Sequence, residues 1–165
     1  MHIFLQGPLG IGKSTVIRKA LAILSEPLAI GGFFTYKLDD DGIYICATDD
    51  LDRSGAACVA RFGDRGSKNL YPEIFDTEGV RLLQSARSAD LIIMDELGFL
   101  ESKAELFKQE VLACIDRDTP ILGVLRDMEI PWHKPIKSHP SVKIIRVTEE
   151  NRNNLAEQIR EIIEN

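Results

Sequence analysis

Two short stretches of the chain hold residues whose types and spacing suit chemistry on phosphates. The first, Gly7-Pro8-Leu9-Gly10-Ile11-Gly12-Lys13-Ser14, is a complete G-x-x-x-x-G-K-[ST] pattern and is followed by Thr15. Its glycines let consecutive backbone N–H groups converge on an anion, and a helix starting just after them adds the positive end of its dipole. The Lys13 ammonium is expected to reach the β- and γ-phosphates of a nucleotide, and the Ser14 hydroxyl to ligate Mg²⁺. Gly7, Pro8, Leu9, Gly10, Ile11, Gly12, Lys13, Ser14 and Thr15 are thus candidate nucleotide-binding residues, with Lys13 also catalytic. A glycine-rich turn without a ligand would not need a Lys and a Ser at its end.

The second stretch is Leu91-Ile92-Ile93-Met94 followed by Asp95-Glu96. A continuous apolar run suits a parallel strand buried on both faces, and the acidic pair then falls at its carboxyl end. In P-loop enzymes an Asp so placed holds Mg²⁺ or its water, and a following carboxylate can orient or deprotonate the attacking water. Asp95 is therefore the candidate metal residue and Glu96 the candidate catalytic base. On its own an acidic pair at a strand end is equally the start of a loop. The phosphate loop gives it weight.

These residues need elements to position them. Ile3–Gln6 reads as a strand entering the loop, and Ser14–Leu24 carries Ile17, Ala20, Leu21 and Leu24 at helical spacing. Ala29–Leu38 is β-branched and aromatic, and Asp39-Asp40-Asp41-Gly42 before Ile43-Tyr44-Ile45 reads as a hairpin turn. Residues 49–70 show no period, and Asp76-Thr77 is expected to cap a helix running to about Ser88. Ile121–Leu125 and Val142–Val147 are further buried strands. Lys103–Arg117 and the segment with Leu155, Ile159, Ile162 and Ile163 are amphipathic helices. Strands alternating with helices imply a three-layer α/β P-loop fold with a mostly parallel central sheet, an inserted β-hairpin after the first helix, and ligands at the strands' carboxyl ends.

With 165 residues, 44% of them apolar, residues 1–165 are expected to form a single domain. A net charge of −6 disfavours a general nucleic-acid binder, so anion binding has to be local. Cys46, Cys58 and Cys114 are widely spaced and read as reduced thiols, and His2, His133 and His139 suggest no metal site. The amino terminus lacks the basic start and apolar stretch of a signal peptide, and no apolar run approaches membrane-spanning length. The expected compartment is the cytoplasm, with no membrane partner.

Four segments resemble the small P-loop nucleoside-triphosphatase family known from thermophiles and from a cancer-related vertebrate member. They are Gly7–Thr15; Gly31-Gly32-Phe33-Phe34-Thr35; Asp95-Glu96-Leu97-Gly98-Phe99-Leu100-Glu101; and Val147-Thr148-Glu149-Glu150-Asn151-Arg152-Asn153. The last two are narrower than the phosphate loop, and together the four span nearly the whole chain in the family's order. The resemblance implies Mg²⁺-dependent hydrolysis of nucleoside triphosphates such as ATP and GTP to diphosphates, with loose base preference. Ser14 stands where some members have Thr. Residues 54–72 depart from the family's pattern, which usually has Val-Gly before an aromatic strand.

Arg126 follows the strand Ile121–Leu125, where related folds place a lid with a phosphate-binding Arg, and is a candidate catalytic residue. The alternative is a surface Arg paired with Asp127 or Glu129. Arg152, between the last strand and last helix, is a candidate contact to the nucleotide base, whereas Thr148 and Asn151 read as caps. Phe33, Phe34 and Tyr36 suit a core more than a pocket wall, and Trp132 is expected to pack a loop. Two other functions compete with hydrolysis: a small-molecule or nucleotide kinase, disfavoured because Arg126 is the only Arg in the 118–145 region, and a slow nucleotide-dependent switch.

Overall fold

A computed structural model describes residues 1–164, apart from the side chain of Arg65; Asn165, the end of the expected domain, lies outside them. In chain order the elements are β1 (His2–Gln6), α1 (Lys13–Ala22), β2 (Ile30–Leu38), β3 (Gly42–Ala47), β4 (Ala57–Phe62) and β5 (Lys68–Leu70). There follow α2 (Pro72–Ile74), a π-helical turn over Phe75–Gly79, α3 (Val80–Ser85) and β6 (Leu91–Leu97). The chain ends with α4 (Glu105–Ile115), β7 (Ile121–Leu125), α5 (Lys134–Ser138), β8 (Val142–Arg146) and α6 (Leu155–Glu164).

The strands form one sheet in the order β5-β4-β3-β2-β6-β7-β1-β8. From β2 to β8 every neighbouring pair is parallel, whereas β2 to β5 form an antiparallel meander. The expected hairpin β2–β3 is present, and β4 and β5 extend it through the stretch in which no period was visible.

Alternation along the parallel strands splits the core into two layers. Ile3, Leu5, Leu91, Ile93, Leu122 and Val124 pack against Val16, Ile17 and Ala20 of α1 and Leu155, Ala156 and Ile159 of α6. Phe4, Phe33, Ile92, Met94, Ile121 and Leu125 turn the other way, onto Leu82 and Leu83 of α3, Phe107, Val111 and Cys114 of α4, and Ile136 of α5. Each fully buried large side chain contributes about 1.5–3 kcal/mol, so the parallel half of the sheet is the rigid frame on which the site rests.

The helical stretch before β6 begins earlier than expected. Proline at the first turn of α2 starts it at Pro72. Asp76 lies inside it and does not cap it: its Oδ1 accepts from the Phe107 N–H at 2.9 Å, in the first turn of α4. The carboxylate thereby serves a helix end that has no cap of its own. Of the three aromatics expected in the core only Phe33 is fully buried; Phe34 and Tyr36 are half-buried, with the guanidinium groups of Arg18 and Arg53 over their rings. The Trp132 indole N–H donates to Gly98 O at 2.9 Å, tying down a loop as expected. Cys46, Cys58 and Cys114 are free thiols, and among the described residues no helix is long and apolar enough to cross a membrane.

Candidate active site

The loop between β1 and α1 owes its shape to its glycines. Gly12 sits at the amino end of α1 with φ of 101°, a conformation that favours glycine, and its carbonyl accepts the first helical bond from Val16 N–H at 2.9 Å. At Gly7 the constraint is space, because an added Cβ would stand 2.7 Å from the Val147 carbonyl oxygen. The loop is thus wedged against the end of β8.

Lys13 is 7% exposed and donates from Nζ to the carbonyls of Gly7 at 2.8 Å and Pro8 at 3.0 Å. Burial pulls its pKa below the ordinary lysine value. The ammonium therefore rests on its own loop's carbonyls, within reach of anything the loop cradles.

Ser14 Oγ donates to Asp95 Oδ1 at 3.0 Å, joining the first turn of α1 to β6. Asp95 is 1% exposed, and its Oδ2 has no hydrogen-bond partner among the described residues. Burial raises its carboxyl to about 6, with the Ser14 hydrogen bond pulling the other way. A buried, unpartnered carboxylate oxygen is costly unless something fills the place beside it.

Glu96 and Arg126 meet across the ends of β6 and β7, with Arg126 Nη1 3.1 Å from Glu96 Oε1. Neither surface pairing expected for Arg126 forms: Asp127 instead takes a two-pronged pair from Arg146 at 3.0 and 3.2 Å. Arg126 N–H donates to Leu97 O at 2.9 Å and its carbonyl accepts from Gln6 Nε2 at 3.2 Å, so the residue is fixed at both peptide ends. With Gly7, Lys13 and Met128 it lines a cleft of about 160 Å³.

Around the loop from that cleft lies an open groove of about 460 Å³, lined by Leu9, Gly10 and Ile11 on one side and Val147, Thr148 and Arg152 on the other. Arg152 thus stands beside the phosphate loop. Asn151 does not: its Oδ1 accepts from Thr148 N–H at 2.9 Å, its own N–H donates to Thr148 Oγ1 at 3.3 Å, and its Nδ2 donates to Arg146 O at 2.8 Å. This reciprocal capping shapes the turn before α6, which begins only at Leu155. Thr15 is exposed in the first turn of α1.

The structure gathers Lys13, Ser14, Asp95, Glu96 and Arg126 at the carboxyl ends of β1, β6 and β7, from positions up to 113 apart in sequence. Sequence reasoning gave no separate role to Glu101, buried in the turn after β6, or to Arg146, in the wall of the groove. An acid three residues after a glycine at a strand end was the visible signal for the first; no signal pointed to the second.

A family model described as NTPase matches residues 2–160. The nucleoside-triphosphatase THEP1 of Thermotoga sp. (strain RQ2) is 30% identical over 174 residues, covering 99% of this chain and 95% of that protein. The cancer-related nucleoside-triphosphatase homolog of Mus musculus is 30% identical over 188 residues, covering 99% and 96%. The crystal structure of THEP1 from the hyperthermophile Aquifex aeolicus superimposes with a TM-score of 0.84 at 25% identity, over the whole of both chains. The match runs through the phosphate loop, the acidic strand end and the turn before the last helix alike, and this chain belongs to the NTPase family to which the model corresponds.

Proposed function

We propose that this protein hydrolyses nucleoside 5′-triphosphates to the diphosphate and phosphate, with Mg²⁺ and with weak selection among bases. The carrying observation is the pairing of a complete phosphate loop with a buried carboxylate that touches the loop's own serine at 3.0 Å. The donor set fits Mg²⁺, a hard cation that takes oxygen ligands and keeps several waters. Ser14 and Asp95 would hold it, Asp95 directly or through a water; bound there, it would neutralise charge on the β- and γ-phosphate oxygens.

The chain's own groups supply the rest. Backbone N–H groups of the loop bind the phosphates, and Lys13 turns from the Gly7 and Pro8 carbonyls to the β- and γ-oxygens. Glu96 orients a water in line with the γ-phosphorus and accepts its proton as the new P–O bond forms and the bond to the β-phosphate oxygen breaks. Arg126, already in the cleft with Lys13, exchanges its contact with Glu96 for the γ-phosphate. Product analysis with several Mg²⁺-nucleoside triphosphates, with and without candidate phosphate acceptors, tests the proposal. Diphosphate formation that depends on an added acceptor, with the phosphoryl group recovered on that acceptor and not as free phosphate, would turn it toward a kinase.

The base is assigned to the groove beside Leu9 and Arg152, where an apolar surface and a guanidinium can stack on any base. ATP, GTP, CTP and UTP are expected to be hydrolysed with similar efficiency in competition assays. A preference for one base above about 10⁴-fold would require fully paired base readout and would remove this assignment.

Asp95 also predicts a pH dependence. Its folded value of about 6 lies above the ordinary 3.8, so the ion-free protein holds that proton more tightly than the unfolded chain does. This group's contribution to stability is present at low pH and is lost as pH rises through about 6. Urea unfolding in chelator at pH 5 and pH 7 is expected to show a contribution from Asp95 favouring pH 5 by about 1 kcal/mol, absent from Asp95→Asn. Parallel pH dependences in the two proteins would show an ordinary carboxylate.

A further inference from the structure

Two acidic side chains are buried among the described residues, and Asp95 accounts for only one of them. The other is Glu101, 2% exposed, in the turn that follows β6. Its Oε2 accepts from the Gly98 N–H at 2.8 Å. The carbonyl of the same glycine accepts from Trp132 Nε1 at 2.9 Å, and the preceding carbonyl, of Leu97, accepts from Arg126 N–H at 2.9 Å. Gly98 is therefore clasped from three sides. It also lies beside both members of the ion pair in the site: a Cβ added to it would meet Arg126 Cβ at 3.5 Å and Glu96 Oε1 at 3.8 Å.

Burying a carboxyl costs free energy that an exposed Ser or Asn making the same turn would avoid. That cost is visible in the Glu101 carboxyl, which burial pushes up to about 7, with Glu96 raising it and Arg126 lowering it. The three groups thus act on one another across a single turn. We propose that Glu101 is a positioning residue for the hydrolytic step: by holding the Gly98 N–H it fixes the turn against which Glu96 and Arg126 pack, and so sets the aim of the Glu96 carboxylate at the attacking water.

The inference rests on the assignment of Glu96 as the group that orients that water, and the experiment separates the two. Glu101→Leu removes the acceptor, Glu101→Gln keeps an oxygen for the Gly98 N–H, and each is made alone and together with Glu96→Gln. Glu101→Leu is expected to lose about 10- to 100-fold in kcat, the scale of a misaimed reacting group, while nucleotide affinity by calorimetry stays within about twofold. Glu101→Gln should recover most of that loss. In the Glu96→Gln background Glu101→Leu should cost nothing further, because the carboxylate it aims is gone.

If Glu101→Leu does not fold, Trp132→Phe releases the other side of the same peptide. It is expected to lose about 3- to 10-fold in kcat, again only when Glu96 is intact. A kcat loss that multiplies with that of Glu96→Gln, an unchanged kcat, or a parallel loss of nucleotide affinity would each overturn the positioning role. Unchanged hydrolysis by Glu96→Gln alone would instead overturn the underlying mechanism.

Discussion

Replacing Lys13 with alanine is expected to abolish measurable turnover and to weaken Mg²⁺-nucleotide binding severely. Lys13 is the only cation within the phosphate loop, and in the proposed reaction it would serve the β- and γ-phosphates. Its two contacts now go to the carbonyls of Gly7 and Pro8. When phosphate oxygens take their place, the bonds become charge-assisted on both sides, at about 1.5–3 kcal/mol each. Two such bonds lost together correspond to about 10² to 10⁴ in kcat/KM, a deficit that Arg126, which lines the same cleft and is proposed to serve the γ-phosphate, would not make good. The fold should survive, since a buried ammonium with a lowered pKa is itself a cost that alanine removes. Phosphate release, calorimetry and thermal melting on one preparation check all three statements. Near-normal hydrolysis by a folded Lys13→Ala protein would place the chemistry elsewhere.

What the sequence made legible follows from how each part is stabilised. The central strands β6 and β7 are buried on both faces, so Leu91–Met94 and Ile121–Leu125 show as apolar runs, and α4 and α6 show as helical stripes because only one side of each is covered. The run Val142–Val147 looks the same in sequence, but β8 is the edge of the sheet and no residue of Val142–Arg146 is buried. The strands β4 and β5 did not show. Lys68–Leu70 is an exposed sheet edge, and the register between β3 and β4 shifts at Ile43/Tyr44, which breaks the alternation a reader would count. The start of the helical stretch at Pro72 was hidden because Asp76 looks like a local cap, and its true partner, Phe107, is 31 residues away.

The same distinction holds in the site. The phosphate loop is local, with all its groups within Gly7–Ser14, and its context of strand and helix was plain. The Ser14–Asp95, Glu96–Arg126 and Asp127–Arg146 contacts join residues 81, 30 and 19 apart, and no periodicity encodes them. Arg126 illustrates the limit: its place after a strand was readable, but nearness in sequence suggested Asp127 or Glu129 as its partner, whereas the sheet order puts β6 beside β7 and so brings Glu96 to it.

Glu96→Gln and Asp95→Asn are expected to fail in different ways, because the two adjacent acids sit in different surroundings. Asp95 is buried against Ser14 with a free oxygen, the surroundings of a cation ligand, whereas Glu96 is only partly buried and reaches Arg126 at the cleft. Glutamine at position 96 keeps the length of the side chain and an oxygen for the guanidinium, so the shape of the site and its affinity for Mg²⁺-nucleotide should persist. It cannot accept the proton of the attacking water. Hydrolysis should therefore fall by about 10² to 10⁴, the range of a positioned general base. Asparagine at position 95 removes the charge that would hold the ion, so it should raise the Mg²⁺ concentration needed for half-maximal activity as well as lowering the rate. Binding by calorimetry and phosphate release across a Mg²⁺ titration, on the same preparations, read both differences. Were a kinase acceptor the true nucleophile, Glu96→Gln would chiefly impair transfer to that acceptor. If Glu96→Gln released phosphate at the wild-type rate, Glu96 would be a strand-end acid that steadies Arg126, and the water would need another base within the same cleft.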